Sequence, residues 1–90
     1  MSFIDKIIKI LHLITGLRTG GAEAQLYKML MYDSANHHIV VSLTQRDYYG
    51  ELIEKLGISV YELNITKLFF VKGLIKLVDI LKKENPNIIQ

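Results

Sequence analysis

The 90-residue chain has no cysteine. That excludes disulfides and thiolate metal sites, and it fits a reducing compartment. Arginine is scarce: nine lysines and two arginines stand against nine carboxylates, for a net charge of +2. The basic residues are spread along the chain. The dense clustering of a nucleic-acid surface is missing, so no nucleic-acid partner is expected. No apolar run reaches the ~18 residues of a membrane span. There is no internal repeat and no low-complexity segment. Half of the residues are hydrophobic and 22% are charged, a balance that favours folding over disorder. Ninety residues allow one domain or part of one.

The opening mimics a secretory signal. Lys6 and Lys9 precede an apolar run, Ile10–Leu17, and Ala22-Glu23-Ala24 resembles a small-residue cleavage site. Asp5, His12 and Arg18 interrupt that pattern, and a cytoplasmic chain is the expectation.

The most informative stretch runs from Lys9 to Leu30. Ile10–Thr15 is short, apolar and β-branched, and predicts a strand buried on both faces. Three glycines among the next six residues, Gly16, Gly20 and Gly21, permit a sharp turn and close backbone approach. A helix follows from Gly21 to Met31 or Tyr32, with Ala22, Leu26, Met29 and Leu30 on its inner face. Strand, glycine turn and helix open a parallel α/β sheet. The helix's free N–H groups then stand at the carboxyl end of a central strand, where anions bind.

The rest continues the alternation. Asp33–Asn36 reads as a turn, and His38–Leu43 as a second strand. A loop, 44–47, leads to a short helix over Tyr49–Leu56, with Asp47 as its N-cap. Leu52, Ile53 and Leu56 should face inward, and Gly57 should supply a left-handed C-cap. Ile58–Leu63 alternates as a strand near a sheet edge does. Phe70–Glu84 predicts a third helix, with Val71, Leu74, Ile75, Val78 and Leu81 inward and the lysines outward. Asn85-Pro86 ends it, and Asn87–Gln90 begins a fourth strand.

The expectation is a Rossmann-like three-layer α/β fold: four parallel strands in the order 3-2-1-4, with three helices. A finished doubly wound domain would go on to a helix over strand 4, so the fold reads as incomplete.

Spacing tests the glycine loop. A dinucleotide site needs Gly-x-Gly-x-x-Gly and an acid ending strand 2. Here the glycines are at 16, 20 and 21, and strand 2 ends in Leu43-Thr44-Gln45. A P-loop needs Lys-Ser/Thr after its second glycine, but Ala22-Glu23 stand there. Bland readings cover most other polar residues. Glu23 suits the positive end of a helix dipole. His12 is expected as a packed core histidine. His37 and His38 should point to opposite faces of a strand.

Gly20-Gly21-Ala22-Glu23 after Ile-Leu-His-Leu-Ile-Thr resembles the N-terminal half of family 4 retaining glycosyltransferases, enzymes of two Rossmann-like lobes (the GT-B fold). Leu56-Gly57-Ile58-x-Val60 and Leu81–Gln90, with its Pro86-Asn87, extend the resemblance. It covers essentially the whole chain but about a quarter of such an enzyme. It implies an acceptor-side region, residues 1–90, whose Gly20 and Gly21 lend backbone N–H groups to the diphosphate of a nucleotide-sugar. Arg18, Thr19 and Gln45 would contact donor or acceptor. No metal and no resident cofactor are implied. The acceptor would be a glycan, a lipid or a small molecule. Catalytic groups would lie in regions beyond Gln90 and in a C-terminal lobe, so the 90 residues alone should not turn over. The lysine-rich third helix suggests a peripheral membrane contact as a secondary expectation. The rival reading is a non-catalytic, flavodoxin-like interaction or regulatory module that self-associates through an exposed fourth strand.

Overall fold

The structure, a computed structural model, describes residues 8–15, 21–33, 35–45, 47–66 and 70–90. The element order is β1 (Lys9–Ile14), α1 (Gly21–Tyr32), β2 (His37–Ser42), α2 (Asp47–Glu54), β3 (Ser59–Glu62), α3 (Phe70–Glu84) and β4 (Ile88–Ile89). The strands form one all-parallel sheet in the order β3-β2-β1-β4. This is the expected fold, with strand limits moved by a residue or two. α2 starts at Asp47 rather than at Tyr49, so Asp47 is helical and not the residue before the helix.

Right-handed crossovers fix the layers. α1 and α2 step from β1 to β2 to β3 and cover one face. There Leu30, Val40, Ile53 and Val60 form a core, with Leu26, Tyr27 and Tyr49 against it. α3 crosses back from β3 to β4 over the other face. Its core is Leu11, Ile39, Val41, Leu63 and Ile80.

The helix ends follow backbone chemistry. Gly57 closes the turn after α2 at φ 89°, and its N–H reaches the carbonyl of Glu54 at 2.9 Å. Asn85 takes the left-handed role after α3 at φ 46°, one residue before Pro86. Asn87 then clamps Lys9 from both sides. Its N–H donates to the Lys9 carbonyl, 2.7 Å, and its Oδ1 accepts from the Lys9 N–H, 2.8 Å.

Several inward-facing expectations are corrected. Met29 and Leu56 are exposed, and Tyr27 packs in Met29's stead. The larger correction concerns α3. Val71, Ile75 and Val78 are 66%, 58% and 48% exposed, and Leu74 is also exposed. The helix packs inward through Gly73, Leu77, Ile80 and Glu84, spaced i, i+4, i+7 and i+11 along one face, and through Leu81, as expected. The reason is steric. A Cβ on Gly73 would lie 2.4 Å from Cγ1 of Ile65, so the missing side chain sets the closest approach. β1 is not buried on both faces throughout either, since Leu13 is 38% exposed.

Candidate functional site

The carboxyl ends of β1 and β2 are laced together. Thr15's carbonyl accepts from the Thr44 N–H at 3.2 Å and from Thr44 Oγ1 at 2.9 Å. The Leu43 N–H donates to Ile14's carbonyl at 2.8 Å. Buried Ser42 donates its hydroxyl to the Gln45 carbonyl at 2.8 Å, which holds that loop while the Gln45 side chain stays exposed. Gly21 is the first residue of α1. It is exposed, and a methyl added there would meet none of the described residues within 4 Å. Glu23 is the acidic residue of the first turn, where it complements the helix dipole.

Of the residues the sequence nominated, Gly21 and Gln45 stand at the carboxyl edge as expected. Arg18, Thr19 and Gly20 lie outside the described residues. β1 lies between β2 and β4, and the chain's path reverses there: helices leave on one face after β1 and on the other before β4. That is the switch point at which open parallel sheets bind ligands.

A second polar constellation lies toward the opposite end of the sheet, and sequence reasoning missed it. His12 and His38 are both buried. His12 Nε2 is 2.9 Å from His38 Nδ1, and His38 Nε2 is 2.9 Å from Asp33 Oδ2. Asn36 Nδ2 and the Ala35 N–H also donate to the Asp33 carboxylate. The bond from Asn36 is the main reason that carboxyl sits below its usual range. Burial opposes the shift, and the bonds from His38 and Ala35 reinforce it. Burial pushes His12 down, His38 adds to this, and the Asp33 charge opposes it. A pocket of about 380 Å³ opens beside Asp33, Asn36 and His38, with Leu30, Gly57 and Ser59 on its other walls.

The signal was present in pieces. Asp33 precedes His38 by five residues, and each histidine sits in an apolar strand. Only the register joins them. His38 pairs with Ile10, and His12, two residues on, shares its face.

At the remaining end of α3, Glu84 accepts from Tyr61 Oη and pairs with Lys9 Nζ at 2.9 Å. The Tyr61 bond is the first cause holding Glu84 low, with Lys9 second. The same bond, then burial, pushes Tyr61 up to about 12.

Among the described residues, no group of three His, Asp or Glu side chains is placed to hold a metal ion. No described helix is long and apolar enough to cross a membrane. Comparison with protein-family models, with curated proteins and with solved structures gave no match.

Proposed function

We propose that the chain is the acceptor-side, Rossmann-like region of a two-lobed retaining glycosyltransferase. The parent reaction moves a sugar from a nucleotide-sugar to a hydroxyl of a glycan, lipid or small molecule. One observation carries the reading: α1 begins at an exposed glycine, at the switch point of a 3-2-1-4 parallel sheet, and no described residue lies within 4 Å of where a side chain would start. The first N–H groups of a helix have no partner within it. They and the helix dipole favour an anion. A glycine there lets a diphosphate come within hydrogen-bond distance of the backbone.

The division of labour follows. Gly20 and Gly21 supply N–H groups to the donor diphosphate. Arg18 and Thr19 meet donor or acceptor from the same loop, and Gln45 reaches the acceptor from the end of β2. Glu23 serves the helix end and is not a catalytic acid. The groups that break the glycosidic bond and hold the nucleotide belong to the rest of such an enzyme. The 90-residue chain therefore binds weakly and does not turn over.

The test is an amide NMR titration with pyrophosphate and with a nucleotide-sugar. The amides of Gly21 to Ala24 should shift, with a Kd on the order of millimolar. Gly21→Leu puts a branched side chain where no described residue lies within 4 Å of its Cβ, so it should abolish the shifts and leave the fold intact. Unmoved amides at about ten times that concentration, or equal shifts in Gly21→Leu, would remove the reading's chemical support.

A further inference from the structure

α3 has two different flanks. On one, Lys76 Nζ donates to the Glu62 carbonyl at 2.8 Å. A pocket of about 450 Å³ there is lined by Lys72, Ile75, Lys76 and Asp79 together with Leu63 and Asn64. That flank faces β3. Leu74 and Val78 lie roughly 160° around the helix from Lys76, so they face the other way, over β1 and β4. The sheet below them is also uncovered. Leu13 of β1 and Ile89 of β4 are exposed. Ile89 pairs with Leu11, and Leu13 is two residues on from Leu11, so both point to the face that carries α3.

The result is an apolar trough about two strands across, roughly 10 Å, the width of one helix. α3 borders it. The exposed apolar residues of α3 continue from the trough side, Leu74 and Val78, to the outward side, Val71 and Ile75. With the buried face included, α3 is apolar over more than half its circumference from Phe70 to Leu81; Lys82 follows on the outward side, one turn beyond Val78. A helix with only a sheet beneath it needs a stripe of ~100°.

We infer that a second copy of the chain fills this trough. The α3 of each copy lies in the trough of the other, related by a two-fold axis. Val71 and Ile75 of one copy then meet the Leu13 and Ile89 floor of its partner, and the two α3 flanks carrying Leu74 and Val78 meet between the sheets. The trough requires a helix that is apolar on its outward side, and this chain carries one beside it. A two-fold contact is self-complementary, so both features are satisfied at once and the association closes at two copies. Lys72 and Lys76, on the β3 flank, stay outside the contact. The six apolar side chains expose on the order of 500 Å² per copy, against about 800 Å² per partner in a standard interface. The rest would come from the rims. This inference concerns the 90-residue chain itself and does not draw on the anion site at the start of α1.

Sedimentation equilibrium of the full chain should give twice the 10.3 kDa chain mass at about 100 μM. Val71→Asp with Ile75→Asp alters exposed positions only, so helicity should persist while the mass falls to that of one chain. Val71→Ile with Ile75→Leu should keep the dimer. Gln25→Asp, exposed on α1, should keep it also. A wild-type monomer at ~500 μM overturns the inference. So does a dimer that survives the double aspartate variant, or open-ended assembly in place of a closed pair.

Discussion

His12 and His38 stack in the sheet with ring centroids 5.1 Å apart and planes at 25°, joined by a 2.9 Å hydrogen bond from Nε2 to Nδ1. Proton bookkeeping orders this chain. The ionised Asp33 accepts from His38 Nε2–H; with His38 neutral, its Nδ1 is bare and accepts from His12 Nε2–H. Both rings are then neutral. A proton added to His12 would instead place a charge in a buried site.

The first prediction is a pH dependence of stability. The folded His12 binds its proton less readily than the ordinary value of 6.5. The unfolded chain therefore takes up a proton, as pH falls through that value, that the native state resists. Stability should be full above pH 6.5 and should decline below it, continuing until the lower native pKa is reached. Asp33, also held low, adds a loss of the same sign in more acid solution. Urea midpoints from pH 8 to 5 check this. In His12→Gln the slope between pH 7 and 5 should shrink; an unchanged slope would assign the effect to another group.

Coupling between the rings is the second prediction. Removing one partner leaves a buried ring nitrogen unsatisfied, at about 1–3 kcal/mol. Removing both leaves no orphan between them. His12→Leu and His38→Leu should each destabilise, and the double variant should lose less than the sum by roughly 0.5–3 kcal/mol. Strict additivity in a urea-denaturation cycle would show that the bond contributes nothing beyond each ring's packing.

Third is the contact at Gly73. Alanine is the better helix former by about 1 kcal/mol, yet its Cβ would stand 2.4 Å from Ile65 Cγ1. That branch is close to the backbone and cannot swing clear, so strain of about 1–3 kcal/mol should win. Gly73→Ala should lower the melting temperature, and adding Ile65→Ala should recover part of the loss. If Gly73→Ala stabilises the chain, α3 does not sit on Ile65 as described.

These sites also show where sequence reasoning stops. The bounds of α3, Phe70 to Glu84, are legible because fifteen residues of periodic pattern end in Asn-Pro. Its inward face is not legible. When more than half of a helix is apolar, period alone leaves the orientation open. The decision falls to one glycine against one isoleucine, 8 residues apart in sequence. The strand order follows from alternation and crossover handedness. The histidine chain depends instead on the register of β1 against β2, which alternation leaves unset. At the carboxyl edge, Gly21 and Gln45 were readable from the glycine turn and the end of strand 2.

The last prediction compares two glycines. Gly57 has φ 89°, which an L side chain adopts only at a cost of about 1–2 kcal/mol, although its Cβ would touch no described residue within 4 Å. Gly21 is the first residue of α1, and its Cβ would also touch no described residue within 4 Å. Substituting alanine therefore separates backbone strain from crowding. Gly57→Ala should destabilise by about 1 kcal/mol, since the turn that ends α2 depends on that conformation. Gly21→Ala should be neutral or stabilise by up to ~1 kcal/mol, because it narrows the unfolded ensemble without strain in the fold. Thermal melts of the two variants at one pH read the difference directly. A loss at Gly21 as large as that at Gly57 would mean that the start of α1 is crowded, and the open approach that an anion needs would go with it.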